Sequence, residues 1–221
     1  MTKEHSILAS PRGVFFDLDG TLIDSVDIFL AAYRYAIKHG ADIDISENQI
    51  TGALGPNEAG VIKRIAGEKW EHCLELFYKF ESNSIESIST FCGIENLLKL
   101  SQDNGAKVAL ITGRGERHAN LLLDRFGLRQ YFSSIKYGDE DRWNKSDSIR
   151  DTATELGVAI SDTVYIGDSS SDVLAALESG SRPILANWSK RLEVSAAVRS
   201  NALVFDSPNE LLAWLKCWLT H

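Results

Sequence analysis

Cysteine is scarce in this chain of 221 residues, and its three cysteines, Cys73, Cys92 and Cys217, lie far apart. They are too few for a disulfide framework, and no CxxC or Cys/His spacing predicts a zinc site. We therefore expect a reducing, cytoplasmic location.

Long apolar runs are also missing. No run approaches the roughly 18 residues that a membrane-spanning helix needs. The N-terminal stretch Ile7-Leu8-Ala9 is much shorter than the apolar core of a signal peptide. The sequence therefore predicts a soluble protein with no membrane partner.

Basic residues are outnumbered, since 23 Lys and Arg stand against 31 Asp and Glu, for a formal net charge of −8. A general nucleic-acid binder needs a basic face to neutralise phosphates, so nucleic acid is not an expected partner. A small phosphorylated substrate is still compatible, because a local site can be positive in an acidic protein. The apolar fraction of 44% and the charged fraction of 24% are ordinary for a globular domain.

Short apolar runs alternate with helical patterns along much of the chain. The predicted strands are 14–16, 108–111, 163–166, 183–185 and 203–205, with a weaker one at 134–137. Strands that are apolar on both faces and separated by helices predict an α/β fold with a parallel sheet covered on both sides. Predicted helices over 145–156 and 171–179 run to the helix-ending glycines Gly157 and Gly180.

The C-terminal segment predicts a helix with an apolar stripe on one face. The stripe consists of Leu211, Trp214, Leu215, Trp218 and Leu219. Docking of this helix on the core is the simpler interpretation, and a dimer contact is the alternative. The oligomeric state is therefore left open between monomer and homodimer.

Residues 25–89 interrupt the alternation of strands and helices. They contain no convincing strand and carry helical stripes near residues 29–36, 61–65 and 70–77. We expect a helical cap inserted after the first strand, with residues 1–24 and 90–221 forming the core. The segment Gly52–Glu58 is the predicted lid loop, and Lys63 and Arg64 either contact an anionic substrate or lie on a solvated helix face.

Polar residues follow the predicted strands at the edge where open α/β sheets place their ligands. Four segments carry them: Asp17 and Asp19 before Gly20, Thr112 with Gly113, Lys145, and Asp168 with Asp172. Four converging carboxylates repel by several kcal/mol per close pair at an effective dielectric near 20. A divalent cation removes that repulsion, and an all-oxygen ligand set favours Mg²⁺. A lysine and a hydroxyl beside it suit a phosphoryl group, and a carboxylate is able to attack phosphorus.

The ordered motifs Asp17-Leu18-Asp19-Gly20-Thr21-Leu22, Thr112, Lys145 and Gly167-Asp168 with Asp172 resemble the haloacid dehalogenase-like superfamily. The resemblance covers nearly the whole chain and is closest to the phosphoglycolate phosphatase branch, which has a Rossmann-like parallel sheet and a small helical cap.

The resemblance implies a Mg²⁺-dependent phosphatase with an aspartyl-phosphate intermediate. It assigns the nucleophile to Asp17 and the general acid/base to Asp19. Mg²⁺ would be held by Asp17, the Asp19 backbone carbonyl and Asp168, with Asp172 supporting the metal shell or orienting the lysine. Thr112, Gly113 and Lys145 would bind the phosphoryl group.

Two positions depart from the family pattern, which usually has proline where this chain has Ser146 and Cys92. Neither change removes a functional group, so small effects on loop stiffness are expected. The departure beside Lys145 makes Lys136 a reserve candidate. Arg114 either reaches a substrate or lies in solvent, and His118 and His39 are expected to be surface residues.

Two alternatives to a phosphatase stay open. A sugar-phosphate mutase of the β-phosphoglucomutase type keeps all four motifs and differs mainly in its cap. A catalytically silent family member with a binding role is disfavoured by the complete set of acids. The sequence does not specify the substrate, and phosphoglycolate, a sugar phosphate and a nucleotide are all compatible.

Overall fold

The computed structural model describes residues 12–141 and 144–219. The strands in these ranges are β1 (Gly13–Phe16), β2 (Ile23–Asp24), β3 (Ser89–Thr90), β4 (Lys107–Ile111), β5 (Ser134–Lys136), β6 (Thr163–Gly167), β7 (Arg182–Ala186) and β8 (Leu203–Phe205). The α-helices are α1 (Val26–Ala41), α2 (Glu47–Ala53), α3 (Glu58–Ala66), α4 (Trp70–Ser84), α5 (Ile94–Asp103), α6 (Glu116–Arg125), α7 (Lys145–Glu155), α8 (Ser170–Ser179), α9 (Ala196–Arg199) and α10 (Pro208–Leu219). The apolar stretch Ile7-Leu8-Ala9 lies outside the described residues.

Six strands form one sheet in the order β5-β4-β1-β6-β7-β8. Every pairing in this sheet is parallel. All six had been predicted from the apolar runs, and the predicted Rossmann-like α/β fold is confirmed.

The sheet is buried on both faces, which explains why its strands read as continuous apolar runs. In β1, Val14 and Phe16 belong to the core on one face, whereas Phe15 belongs to the core on the other face. Helices α5, α6 and α10 supply buried residues to the first of these cores, and α7 and α8 supply them to the second.

The C-terminal helix α10 docks on the sheet, as predicted from its stripe. Leu211 and Leu215 are fully buried, and Trp214 packs against the same core. The side chains of Trp218 and Leu219 lie outside the described residues. None of the described helices has both the length and the apolar character needed to cross a membrane.

Helices α1–α4 lie between β2 and β3, and we call residues 26–84 the helical insert. Their buried side chains form a hydrophobic core of their own. Tyr33 of α1 and Phe77 of α4 lie at its centre, with ring centroids 4.7 Å apart. The predicted helical stripes at 29–36, 61–65 and 70–77 correspond to α1, α3 and α4. The division of the chain into a core of 1–24 and 90–221 and a cap of 25–89 stays a prediction.

Two features of this region differ from the prediction. The short antiparallel pair β2–β3 was missed, because two-residue strands leave no pattern in the sequence. Helix α2 was also missed, and the predicted loop over Gly52–Glu58 is shorter than expected. Ser46 and Gln49 form a capping box that starts α2, and α3 already begins at Glu58.

Candidate active site

The three central strands of the sheet end side by side, and a polar residue follows each of them. Asp17 follows β1, Thr112 follows β4 and Asp168 follows β6, and all three are buried. The Asp17 N–H donates to Ile166 O at 2.9 Å, so the ladder continues to the aspartate. The parallel topology thus brings together side chains that are about 150 residues apart in sequence, as the strand-end argument predicted.

The turn after Asp17 depends on a glycine. Gly20 has φ +72°, in the left-handed region that glycine adopts without strain. A Cβ atom at this position would collide with the carboxylate of Asp168. Glycine therefore lets the loop that carries Asp17 and Asp19 approach Asp168 closely.

Three carboxylates and one ammonium form what we call the acidic cluster: Asp17, Asp168, Asp172 and Lys145. The three aspartates each offer an oxygen atom within 4.8 Å of the others. Lys145 Nζ lies 2.6 Å from Asp172 Oδ1 and 3.4 Å from Asp17 Oδ1. Lysine 145 is thus at the predicted site, whereas the reserve candidate Lys136 pairs with Glu155 at 2.6 Å on the surface.

The oxygens of Asp172 are already engaged by protein groups. Oδ2 accepts from the Ser169 N–H at 3.1 Å in a capping box at the start of α8, and Oδ1 accepts from Lys145. By contrast, Asp17 Oδ1 is buried and accepts no hydrogen bond from the described residues. Asp172 thus holds Lys145 in place, whereas Asp17 Oδ1 stays available to a ligand.

Burial raises the pKa of Asp17 to about 7, with Asp172 and Asp19 adding to the rise and Lys145 opposing it. The pKa of Asp168 is also raised well above its usual value, by burial and then by Asp172 and Asp17. Burial would lower the pKa of Lys145, but Asp17 and Asp172 outweigh it and raise that pKa. Three carboxyl groups thus share one ammonium, and a divalent cation bound among them would favour their charged forms.

The loop after β4 is held from both sides. Thr112 Oγ1 accepts from the Arg114 N–H at 3.2 Å, and the Thr112 N–H donates to Lys136 O at 3.0 Å. Arg114 O in turn accepts from the Gly138 N–H at 2.7 Å. Thr112 and Gly113 are therefore presented in a fixed conformation at the same sheet edge as Asp17.

Asp19, which is partly buried, contacts a second group of ionisable side chains. We call this group the arginine cluster: Asp19 with the buried Arg114, Glu81 and His118. Arg114 Nε and Nη2 donate to the two oxygens of Asp19 at 2.6 and 2.8 Å. Arg114 Nη1 donates to both oxygens of Glu81 at 2.8 and 3.0 Å. His118 Nδ1 lies 2.7 Å from Glu81 Oε2.

This cluster corrects the prediction for His118 and excludes one of the two alternatives for Arg114. Arg114 is not a solvated loop residue, and His118 is not a surface residue, because both are buried; His39 is exposed, as expected. The sequence contained one usable signal. Glu81 lies four residues after Phe77 and so continues the buried stripe of α4, which indicates a buried carboxylate that needs a partner.

The helical insert contacts the loops around the site through three further residues. Glu58 Oε2 accepts from the Gly115 N–H at 2.8 Å, and Asn57 N–H donates to Asp139 O at 2.9 Å. Lys63 pairs with Glu140, which accounts for its charge without a substrate. The segment ending at Glu58 therefore faces the loops after β4 and β5.

The two departures from the family pattern are accommodated locally. The Ser146 N–H donates to Asn144 Oδ1 at 3.0 Å, and its hydroxyl contacts the same oxygen at 2.9 Å. Proline has no N–H and so cannot make the first bond. Serine and Asn144 thus start α7 together and leave Lys145 in position. Cys92 is exposed.

Comparison with known proteins identifies the family. The sequence model of the haloacid dehalogenase-like hydrolases matches residues 14–186. Phosphoglycolate phosphatase 1 of Pseudomonas aeruginosa is 30% identical over 214 residues, covering 91% of this chain and 79% of that protein. The chain therefore belongs to the haloacid dehalogenase-like hydrolases, and within them it is a phosphatase-type hydrolase.

Solved structures share the fold at lower identity. A hydrolase from Pseudomonas syringae has a TM-score of 0.78 at 24% identity, over 93% of this chain and 98% of that one. A Thermotoga maritima protein assigned as a beta-phosphoglucomutase has a TM-score of 0.70 at 22% identity, over the same shares of the two chains. The resemblance inferred from the sequence motifs is thus confirmed at the level of family and fold.

Proposed function

We propose that this protein is a Mg²⁺-dependent phosphomonoesterase that hydrolyses a small phosphorylated metabolite through an aspartyl-phosphate on Asp17. One observation carries the proposal. The Asp17 Oδ1 atom is buried at the end of β1, accepts no hydrogen bond from the described residues, and lies 3.4 Å from the ammonium of Lys145. A nucleophile needs such a free oxygen, and a cation beside it attracts an anionic phosphoryl group.

The acidic cluster fits a magnesium ion. The ligand atoms that this cluster offers to a metal are carboxylate oxygens. Mg²⁺ prefers one or two carboxylates together with substrate and water oxygens. Asp17 and Asp168 would hold the ion with the backbone carbonyl of Asp19, and Asp172 would orient Lys145. When bound, Mg²⁺ neutralises charge on the phosphoryl oxygens.

The chain's own residues would divide the reaction between them. Thr112, Gly113 and Lys145 hold the phosphoryl group while an Asp17 oxygen attacks phosphorus and the bond to the leaving oxygen breaks. Asp19 gives that leaving oxygen a proton. Asp19 then takes a proton from water, whose oxygen attacks the aspartyl-phosphate and releases inorganic phosphate and free Asp17.

We propose that the helical insert is the cap that encloses this reaction. Its contacts from Glu58 to Gly115 and from Glu81 to Arg114 join it to the loop that follows Thr112. Such contacts exclude water, which would otherwise weaken the electrostatic interactions inside the site. A cytoplasmic location and a monomeric or homodimeric state stay predictions.

Phosphoglycolate is the first substrate to test, because a relative with 30% identity carries its name. A sugar-phosphate mutase is the second candidate, on the strength of the Thermotoga maritima structure. The two reactions differ in the acceptor of the phosphoryl group. A phosphatase transfers it to water, whereas a mutase returns it to a sugar phosphate.

The test is release of inorganic phosphate from 2-phosphoglycolate, sugar monophosphates and nucleoside monophosphates, with Mg²⁺ and with EDTA. Wild type is compared with Asp17→Asn and with Asp124→Asn, an exposed aspartate paired with Arg129 on the surface. We expect Mg²⁺-dependent release that falls by at least about 10⁴-fold in Asp17→Asn and is unchanged in Asp124→Asn.

Release that persists in Asp17→Asn would contradict the proposed nucleophile. Interconversion of sugar phosphates without release of phosphate would favour the mutase. Absence of turnover with every compound would favour a binding role.

A further inference from the structure

Arg114 joins the helical insert to the carboxylate that we propose as the general acid/base. Its side chain is 2% exposed, and that of Glu81 is 4% exposed. The guanidinium donates to Asp19 through Nε and Nη2 and to Glu81 through Nη1. Glu81 belongs to α4, whereas Asp19 belongs to the loop after β1, so one buried side chain connects the two regions.

We propose that Arg114 is a positioning residue that sets the orientation of the Asp19 carboxylate. We also propose that Glu81 fixes Arg114, so that Asp19 is oriented when the helical insert is docked on the core. Both statements rest on the proposed function, since they concern proton transfer by Asp19.

The geometry at Asp19 supports orientation rather than simple neutralisation. Two parallel N–H groups of a planar guanidinium meet two oxygens of a carboxylate, which fixes both the position and the plane of that carboxylate. The Ser25 hydroxyl also donates to Asp19 Oδ1. General acid/base catalysis needs such placement, because the proton must move over a hydrogen-bond distance.

The contacts of Arg114 argue against a direct role in binding substrate. All three guanidinium nitrogens already donate to protein carboxylates. The ring of Phe29 from α1 lies 4.8 Å from the guanidinium carbon and covers it. At 2% exposure the guanidinium offers almost no surface to a substrate anion, so Arg114 acts through Asp19.

Glu81 is itself held in a fixed place. Both of its oxygens accept from Arg114, and Oε2 also lies 2.7 Å from His118 Nδ1. The His118 ring stacks on Tyr78 of α4 with centroids 4.2 Å apart. Movement of α4 away from α6 would break these contacts together and would leave Arg114 without its second carboxylate.

A structural ion pair and a positioning residue make different predictions for leaving groups. An alkyl phosphate releases a poor leaving group, which needs the proton from Asp19. p-Nitrophenyl phosphate releases a stable anion, which does not need it. Loss of positioning therefore lowers kcat/KM for the alkyl phosphate selectively, whereas general damage lowers both values equally.

The experiment measures kcat/KM for the best alkyl phosphate of the panel and for p-nitrophenyl phosphate. The variants are Arg114→Lys, which keeps the positive charge but cannot make the two parallel hydrogen bonds to Asp19, and Glu81→Gln, which keeps the shape of the side chain and removes its charge. We expect Arg114→Lys to lose about 10²-fold with the alkyl phosphate and less than about 5-fold with the aryl phosphate. Glu81→Gln should lose about 10-fold in kcat/KM with the alkyl phosphate, again with a smaller loss for the aryl phosphate.

The chain offers a matched control for both variants. Arg125 of α6 makes a two-bond pair with Glu86 at 2.9 and 3.0 Å, but this pair is exposed and does not touch Asp19. Arg125→Lys and Glu86→Gln should leave the ratio of the two kcat/KM values unchanged. In an Asp19→Asn background, adding Arg114→Lys should also leave that ratio unchanged.

Equal losses with both substrates, or a changed ratio in the Asp19→Asn background, would overturn the inference. Circular dichroism of each variant shows whether it folds. If Arg114→Lys does not fold, the ratio of the two kcat/KM values in Glu81→Gln distinguishes the same outcomes. Failure of the proposed function is a separate result, because it is seen in the wild type and in Asp17→Asn without any change at Arg114.

Discussion

The acidic cluster and the arginine cluster meet in the loop after β1, which carries Asp17 and Asp19, yet their ionisable groups are satisfied in different ways. In the acidic cluster, three carboxylates surround the single ammonium of Lys145, and one oxygen of Asp17 has no hydrogen-bond partner among the described residues. In the arginine cluster, each carboxylate is held by several donors of the protein itself. A buried carboxylate oxygen that accepts no hydrogen bond is costly, so its presence indicates a site for ligands.

This contrast also distinguishes residues that bind ligands from residues that position a catalytic side chain. The acidic cluster has an Asp17 oxygen without a hydrogen bond from the described residues and three carboxyl groups around one ammonium, so it is suited to bind a cation and a phosphoryl group. The arginine cluster has its hydrogen bonds already made, so it is built to keep Asp19 and the helical insert in a fixed relation. Asp19 lies two residues from Asp17 and belongs to the second cluster by its contacts.

After the loss of the proposed nucleophile, the largest effect is expected where the two clusters meet. Asp19→Asn should lower kcat by about 10² to 10⁴-fold, because an amide cannot give or take the proton. KM should change by only a few-fold, since the phosphoryl-binding residues are untouched. Steady-state kinetics on the preferred substrate provide the measurement, and equal losses in kcat and in substrate binding would argue against the acid/base role.

The second prediction concerns the cation. Mg²⁺ at a hundredfold excess over its Kd should raise the free energy of unfolding by about 2.7 kcal/mol. Thermal unfolding with Mg²⁺ and with EDTA measures this difference. Asp168→Asn should abolish it and Glu81→Gln should keep it; loss in both variants would mean that the two clusters do not act separately.

The third prediction concerns stability in the arginine cluster. Glu81→Gln should lower the free energy of unfolding by about 1–3 kcal/mol, because Arg114 stays buried with one carboxylate fewer. Urea denaturation gives the value. The exposed counterpart Glu86→Gln should change it by no more than about 0.5 kcal/mol, and similar losses in both variants would show that burial of the pair is not what matters.

The smallest expected effect is a gain rather than a loss in the free energy of unfolding. Without Mg²⁺, Asp17→Asn should leave stability unchanged or raise it by about 1–2 kcal/mol, because it removes a carboxyl group whose charged form is disfavoured by burial and by the neighbouring aspartates. The same urea experiment, run in EDTA, compares it with wild type. A clear loss of stability would mean that the Asp17 carboxylate is already satisfied by the protein.

The acidic cluster was predictable because each of its members follows a strand or begins a helix. Asp17, Asp168 and Lys145 owe their places to local sequence patterns, and parallel pairing of β1 with β4 and β6 is enough to bring the strand ends to one edge. The arginine cluster was not predictable in this way. Arg114 and Glu81 are 33 residues apart, and their contact depends on how α4 packs against the core.

The amino-acid sequence by itself determined the parallel sheet, the helical character of the insert and the set of acids at the sheet edge. These follow from periodicity, turn residues and strand order, which act locally or through regular pairing. Only the tertiary structure decided that Arg114 and His118 are buried and that Glu81 reaches them. Docking of one region on another depends on shape and on charge pairs between distant segments, and neither leaves a periodic pattern in the sequence.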